Sequence, residues 1–301
     1  MISVKPKVSV CIVSYNQEHY IEQCLQSVVS QESEFEIEVI VSDDCSSDGT
    51  QQIIKKFAAE YNFIKPFLRT ENVGALRNYV ETHNRASNEY VCHLDGDDIW
   101  LPNKIQKQYD FLESHPTFSV CWTKSNFFND YGLKFDGQLT NLKFFGDEGF
   151  VNFDKLAQVG AVAMHSSIMY RRCARITTDN AFDKIDLFYS LEFLLSGNGK
   201  ILDDVLTEYR VQSSGAITRN SGTKIKRVAA SNIRYFLEKH PVYSSSFFVF
   251  CFVNLIVDIK NNRDTKRLFF KLVLRTISVK GIIKFIRFLP YVKHFKVPRL
   301  C

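Results

Sequence analysis

Three carboxylates stand within four residues, Asp95, Asp97 and Asp98, separated by Gly96. They follow an apolar run over residues 90–94 and precede Trp100 and Pro102, so the stretch reads as strand, acidic loop and helix. Crowded carboxylates repel one another, and a cation that neutralises them makes such a loop tolerable. Hard oxygen ligands suit magnesium or manganese, which keep a few carboxylates and complete their shell with substrate phosphates. Taken alone, the motif reads equally as an acidic turn capping a helix.

The elements that must hold this loop alternate. Residues 8–13 are β-rich and almost unbroken in apolar character, as expected of a central strand covered on both faces, and Ser14, Tyr15 and Asn16 follow as a loop. Tyr20, Ile21, Cys24, Leu25 and Val28 recur at helical spacing. Residues 37–41 form a second buried strand that ends at Asp43 and Asp44. A stretch dense in turn and cap residues (45–50) leads to a helix marked by Ile53, Ile54, Phe57 and Ala58. A third strand is expected over 63–68, and a loop at 72–74 opens a helix through Arg77 and Asn78. This alternation predicts an α/β fold with a parallel sheet and right-handed crossovers. In open sheets of that kind ligands sit beyond the carboxyl ends of strands. Here those ends carry Tyr15 and Asn16, Asp43 and Asp44, and the acidic loop. No Gly-x-Gly-x-x-Gly follows the first strand and no Gly-Lys-Ser/Thr occurs, which disfavours a dinucleotide fold and a P-loop.

Past the acidic loop, a helix through Ile105, Tyr109 and Leu112 is expected to stop at His115 and Pro116, with a strand over 118–122. Residues 126–150, rich in Gly, Asn and Asp, carry no readable period. A helix over 153–159, a strand over 167–170, a helix over 182–195 and a strand over 201–211 at a sheet edge complete a domain assigned to residues 1–221. The eight cysteines show no Cys-x-x-Cys pair and no zinc spacing, so reduced, buried thiols in a cytosolic compartment are expected.

Charge divides the chain. From residue 221 onward, 17 Lys and Arg face only Glu238, Asp258 and Asp264, a net +14, whereas the remaining 21 basic and 30 acidic residues give −9. Residues 222–301 are therefore expected to form a basic, amphipathic helical region. Val228, Ile233, Phe236 and Leu237 fit one helix face, and 266–288 interleaves Lys and Arg with Leu, Phe, Val and Ile. The apolar run 247–257 falls short of a membrane span of roughly 20 residues. Such a region either lies in an anionic membrane interface or closes the core as a helical hairpin with a solvated basic face. No nucleic-acid-reading motif accompanies the charge, so nucleic acid is not an expected partner.

Four stretches in this order and spacing resemble the family-2 glycosyltransferases of the GT-A fold. They are Val-Ser-Val-Cys-Ile-Val-Ser-Tyr-Asn (8–16), Val-Ser-Asp-Asp-Cys-Ser-Ser-Asp-Gly-Thr (41–50), Asn72-Val73-Gly74 with Arg77 and Asn78, and Leu-Asp-Gly-Asp-Asp (94–98) followed by Trp100 and Pro102. The resemblance covers roughly residues 7 to 215. It implies a Rossmann-like, mostly parallel central sheet flanked by helices; the tail, expected as a C-terminal helical extension, lies outside it. It also implies inverting transfer of one sugar from a nucleotide-diphospho-sugar, most often a UDP-sugar. The acceptor would be a hydroxyl of a glycan or lipid-linked oligosaccharide in surface-polysaccharide synthesis, and the basic tail would hold the chain at the inner face of the cytoplasmic membrane, where such acceptors are presented.

By position, the resemblance assigns Val13, Tyr15, Asn16, Asp44, Arg77, Asp95 and Gly96 to the donor. Tyr15 and Asn16 would border the nucleoside, Asp44 would hydrogen-bond the base, Arg77 would lie close to the nucleotide, and Asp95 would reach the ribose or a metal-bound water. Asp97 would ligate Mn2+ or Mg2+. The base would be Asp186, with Asp183 as second choice; Ile185 and Leu187 stand where the family carries an acidic and an aromatic residue. Gln212 stands where a His often follows the Tyr-Arg strand, and the Gln-x-x-Arg-Trp signature of processive synthases is absent, which favours single transfer. His165 either lines the acceptor pocket or is structural. Two other readings are carried forward. A nucleotidyltransferase would show a Gly-rich basic loop after the first strand, and residues 14–19 have none. A non-catalytic glycan-binding module would need neither Asp97 nor a base.

Overall fold

A computed structural model describes residues 7–132, 134–135, 142–179, 181–211 and 222–292. They gather into two compact units, one of residues 1–138, 163–181 and 196–216, the other of 139–162, 182–195 and 217–301. Gln212 lies outside the described residues.

The first unit is a mixed sheet. Its strands are β1 (Val8–Ser14), β2 (Ile37–Asp43), β3 (Ile64–Leu68), β4 (Tyr90–Asp95), β5 (Ile99–Trp100), β6 (Phe118–Phe128), β7 (Lys134–Phe135), β9 (Ile168–Arg171) and β10 (Asn198–Arg210), while β8 (Phe150–Val151) belongs to the second unit. The order is β3-β2-β1-β4-β9-β6-β10-β5, with β7 beside β6. β3, β2, β1 and β4 run parallel, as do β6 and β10, and β9 enters antiparallel between β4 and β6. The α/β architecture expected from the alternation is therefore present, and one reversed strand joins its two parallel halves. The strand expected at a sheet edge, β10, lies inside, between β6 and the two-residue β5. Its alternation is broken by register shifts between Leu202 and Val205 and between Val205 and Thr207, and that irregularity made it read as an edge.

Apolar residues on one face of the sheet, among them Val8, Val10, Ile12, Val39, Val41, Cys92 and Leu94, share a core with three helices. α1 (Ile21–Val29) contributes Ile21, Cys24, Leu25 and Val28, α2 (Thr50–Glu60) contributes Ile54 and Phe57, and α4 (Lys104–Ser114) contributes Ile105 and Leu112. These are the residues whose helical spacing is visible in the sequence. The alternate positions Ser9, Cys11, Glu38, Ser42 and His93 are buried too, and on that face α3 (Ala75–His83) is bonded to Cys11 and Ser42 through Thr82 and Asn78. β1 is thus covered on both faces, as expected, but its second cover is polar.

Glu38 anchors that polar layer. It accepts hydrogen bonds from Ser9 Oγ (2.6 Å), Ser87 N (3.0 Å), Ser87 Oγ (2.8 Å) and Lys65 Nζ (2.7 Å). Burial works against its charge, but the Lys65 ammonium and the serine donors outweigh it and hold the pKa down at about 2, from 4.5. A depressed carboxylate stabilises the fold above its unfolded pKa and loses that contribution as pH falls through the folded value. Glu38→Gln is expected to lower the unfolding free energy at pH 7 by on the order of 2–3 kcal/mol. It should also flatten the loss of stability between about pH 5 and pH 2, as read by urea unfolding at a series of pH values.

The second unit is helical: α5 (Leu142–Phe145), α6 (Phe153–Val159), α7 (Asp186–Ser196), α8 (Gly222–Lys239), α9 (Ser244–Lys260), α10 (Lys266–Thr276) and α11 (Val279–Val292). Phe153, Phe188, Phe236 and Phe247 form its aromatic centre. The helical region expected from residue 222 onward is here, joined by 139–162 and 182–195 from earlier in the chain. Gly160 shows how tight that union is: it sits at φ +82°, and a Cβ there would lie 2.1 Å from the Phe250 ring. The stretch Pro241–Lys260 is long and apolar enough to cross a bilayer by length and composition, with mean hydropathy 1.8. Its burial fits a core helix: Phe247, Val249 and Cys251 are fully covered, and Asp258 pairs with the buried Lys226 and accepts from Thr265 Oγ1 (2.6 Å).

Candidate functional site

The tips of β2, β1 and β4 end level. Val13 is opposite both Ser42 and Asp95, and Ser14 is opposite Asp43. The ladder runs on by one bond at each side, Asp44 N to Ser14 O and Gly96 N to Val13 O, both 2.9 Å. Asp44 and Asp95 therefore flank the end of β1 on its two sides, Asp95 level with Ser42 and Asp44 two residues further on. They stand at the carboxyl edge where open α/β sheets take ligands.

Around β1 the loops are tied to one another. Asn16 sits at φ +51°, donates its N–H to Ser46 Oγ (2.8 Å) and accepts from Ser47 N at Oδ1 (2.9 Å). Tyr15, just before it, is exposed. The two aspartates after β2 do different work. Asp43 is fully buried and knits the turn, accepting from Ser14 Oγ, Ser46 N, Ser46 Oγ and Gln51 Nε2. Asp44 receives the backbone N–H groups of Val73 and Gly74, one on each oxygen at 2.9 Å. Gly74 takes φ +88° to present its amide, a conformation that favours glycine. Each Asp44 oxygen keeps a lone pair for a further donor.

Arg77 lies on the outer face of α3, 56 % exposed, with its Nε on Glu81 (2.6 Å). The cation beside Asp44 is Arg69, directly after β3. It is 8 % exposed and 3.9 Å from Asp44 Oδ1, and it donates to Asn78 Oδ1 (3.1 Å) and Glu81 Oε2 (2.6 Å). Sequence reasoning passed over Arg69, although its place one residue beyond a strand end was a signal equal to that of Asp44.

The acidic loop divides its carboxylates. Asp98 is buried, accepting from Ser166 Oγ (2.5 Å) and from Arg210 N (2.8 Å). Burial first, then the charges of Asp97 and Asp95, push its pKa well above the usual carboxylate range. Asp95 and Asp97 remain part-exposed. Burial also opposes the Asp95 charge, but His93, His165 and Ser166 more than offset it, so its pKa is lowered. Gly96 between them is closely surrounded: a Cβ would lie 2.4 Å from Gln17 Oε1, which would have to move, and 3.1 Å from Ile21 Cδ1 and Ser14 Cβ. Val13, half-buried at the end of β1, supplies the carbonyl that holds Gly96.

Arg210, at the end of β10, fastens this loop from behind. It donates to the Asp97 carbonyl (3.0 Å), Gln23 Oε1 (3.1 Å) and Asp130 Oδ1 (3.2 Å), and it lies between the rings of Tyr20 and Phe128. His165 is half-buried, its ring 4.1 Å from that of His93.

Among the described residues no group of three or more His, Cys, Asp or Glu forms a cage for a metal ion. With Asp98 turned inward, the loop offers two hard carboxylates, Asp95 and Asp97. That set fits a Mg2+ or Mn2+ ion that takes its remaining oxygens from a diphosphate and water. It does not fit a closed structural site.

The two candidate bases belong to the second unit. Asp186 is exposed and is the first residue of α7, where a carboxylate is favoured by the helix dipole. Asp183 is exposed in the preceding turn. Asn232 of α8 holds that turn, donating to the Asp183 carbonyl (2.8 Å) and accepting from Ile185 N (3.1 Å). This clasp explains why the helix expected from residue 182 begins at 186.

Comparison with known proteins places these features in a family. The model of glycosyl transferase family 2 matches residues 9–174, more than half of the chain. The uncharacterized protein Rv1520 of Mycobacterium tuberculosis is 30 % identical over 209 residues, which cover 69 % of this chain and 59 % of that protein. The putative teichuronic acid biosynthesis glycosyltransferase TuaG of Bacillus subtilis is 39 % identical over 112 residues, 37 % of this chain and 44 % of TuaG. The crystal structure of Staphylococcus aureus TarS residues 1–349 with UDP-GlcNAc superposes with a TM-score of 0.63 at 21 % identity, over 80 % of this chain and 70 % of that one.

Proposed function

The chain belongs to glycosyl transferase family 2, and from that premise we propose that it transfers a single sugar from a nucleotide-diphospho-sugar to a glycan or lipid-linked hydroxyl, with inversion. The observation that carries this reading is that Asp44 and the Asp95–Asp97 loop flank the tip of β1 at the carboxyl edge of the sheet. TuaG, a putative teichuronic acid biosynthesis glycosyltransferase, and TarS, crystallised with UDP-GlcNAc, support a surface-polysaccharide acceptor and a UDP-sugar donor.

In this reading Tyr15 and Asn16 border the nucleoside and Asp44, braced by Val73 and Gly74, accepts from the base. Arg77 lies toward the nucleotide, with Arg69 as the buried cation behind it. Asp97, with Asp95 beside it, would hold a divalent cation. That ion, when bound, supplies Lewis-acid stabilisation of the charge left on the diphosphate. As the bond from the anomeric carbon to the phosphate oxygen breaks, the acceptor oxygen forms a bond on the opposite face. Asp186 takes the acceptor's proton.

The experiment is a thermal-shift panel of UDP-, GDP- and dTDP-sugars, each with and without manganese. A donor at 100 times its Kd should raise stability by about 2.7 kcal/mol. No manganese-dependent shift with any nucleotide sugar would contradict the donor reading.

We place the enzyme at the inner face of the cytoplasmic membrane, held by its second unit. Leu274, Ile282, Ile283, Ile286 and Leu289 of α10 and α11 are exposed, and residues 266–292 carry seven Lys and Arg and no Asp or Glu. Exposed apolar side chains interleaved with cations suit an anionic interface. Deleting the tail would remove Asn232 and Phe236 from the core, so point changes are the cleaner test. Ile282→Asp with Ile286→Asp should cut co-sedimentation with phosphatidylglycerol vesicles at least ~tenfold, with no change in thermal stability. Undiminished binding would remove this face from the account.

A further inference from the structure

His93 precedes Asp95 by two residues on β4, so both side chains leave the same face of the strand. That face is the polar one, against α3, and it holds a continuous chain of hydrogen bonds. Tyr170 Oη on β9 meets His83 Nδ1 on α3 at 2.7 Å, His83 Nε2 meets His93 Nδ1 at 3.0 Å, and His93 Nε2 meets Asp95 Oδ1 at 3.2 Å. The inner members are sealed, with Tyr170 and His93 1 % and His83 3 % exposed, whereas the Asp95 side chain keeps 37 % of its surface open. The rings of Tyr79 and His165 lie against the imidazoles of His83 and His93 at 4.0–5.0 Å.

We propose that Tyr170, His83 and His93 are positioning residues for Asp95, gripping Oδ1 from inside so that the carboxylate faces its ligand in one fixed orientation. The inference rests on the reading of Asp95 as a donor-binding residue. Hydrogen-bond accounting gives the chain a direction. An ionised Asp95 only accepts, so His93 carries its proton on Nε2. With one proton on each ring, His93 Nδ1 accepts from His83 Nε2, and His83 Nδ1 accepts from the Tyr170 hydroxyl. Every donor has one acceptor, and the protons all point toward Asp95. Burial favours the neutral form of His83, the link in the middle. A carboxylate without this grip could turn about its own bond. Partners that stand behind a ligating group are worth about 10- to 100-fold in affinity or activity.

The test is a double-mutant cycle on nucleotide binding. The probe is whichever of UDP, GDP, CDP and dTDP the wild type binds most tightly with manganese, measured by calorimetry. His93→Leu should weaken it about 10- to 100-fold, and His93→Gln, which keeps an N–H near the Nε2 position, should recover most of the loss. In an Asp95→Ala background, which has no oxygen left to grip, His93→Leu should add nothing further. Nitrogen-15 spectra of the native protein should show the His83 and His93 protons on Nε2. Should His93→Leu unfold the protein, Tyr170→Phe, which changes only the Tyr170 hydroxyl, is compared against the same background. If Asp95→Ala weakens binding and the second change adds its full effect on top, or if His93 carries its proton on Nδ1, the positioning role is overturned. If Asp95→Ala leaves binding unchanged, it is the donor-site reading of Asp95 that fails.

Discussion

Asp97→Ala is expected to lower turnover on the order of 1,000-fold, the equivalent of about 4 kcal/mol of lost transition-state stabilisation, while costing less stability than the loss of Asp98. The expectation comes from how the acidic loop divides its labour. The Asp97 side chain is part-exposed, and its backbone carbonyl accepts a bond from Arg210 that does not depend on the carboxylate. Asp98→Ala is the contrast. It strips the buried Ser166 hydroxyl and the Arg210 amide of their acceptor, each at a cost of about 1–3 kcal/mol, so its melting temperature should fall. Release of nucleoside diphosphate from the donor, with manganese present, reads the first effect, and thermal unfolding reads the second. Native turnover by Asp97→Ala would take this residue out of the reaction. A stability loss in it equal to that of Asp98→Ala would mean that the two carboxylates are not divided as the hydrogen bonds indicate.

That division marks where the sequence stops being readable. β1, β2 and β4 are near-continuous apolar runs because they are buried on both sides, and their tips carry polar residues because the chain there leaves the core. Both facts are local, so strands, helices and tip residues follow from periodicity alone. The roles of adjacent carboxylates do not. Asp43 and Asp44 differ by which neighbour each meets, Ser46 and Gln51 or Val73 and Gly74. Asp98 is turned inward by Ser166 and Arg210, which lie far along the chain. Arg210 is the extreme case: it bonds Gln23, 187 residues away, so nothing near it in sequence announces that it braces the acidic loop. The same holds for the second unit. Its aromatic centre draws Phe153 and Phe188 to Phe236, so a boundary placed at residue 221 follows the change in charge, whereas the packing follows the phenylalanines.

Asp186→Asn is expected to reduce kcat by about 100- to 10,000-fold, the range general-base catalysis supplies, with little change in the donor's KM. Inversion with a hydroxyl acceptor requires a group to take the proton as the oxygen attacks, and Asp186 at the start of α7 is an exposed carboxylate. Asparagine matches its shape but is not a base, so binding should survive while the chemical step does not. Asp183 competes for the role, since it is also exposed and sits three residues earlier. Asn232 separates the two. It holds the backbone of Asp183 and Ile185 rather than either carboxylate, so replacing one side chain should not disturb the other. Asp183→Asn should therefore keep kcat within a few-fold of native. A pH–rate profile adds a control: loss of the base should remove the acidic limb of kcat, which a variant damaged only in folding would retain. If Asp183→Asn shows the large loss and Asp186→Asn does not, the base belongs to the turn before α7. If both keep native kcat, neither residue takes the proton, and the inverting mechanism needs another carboxylate.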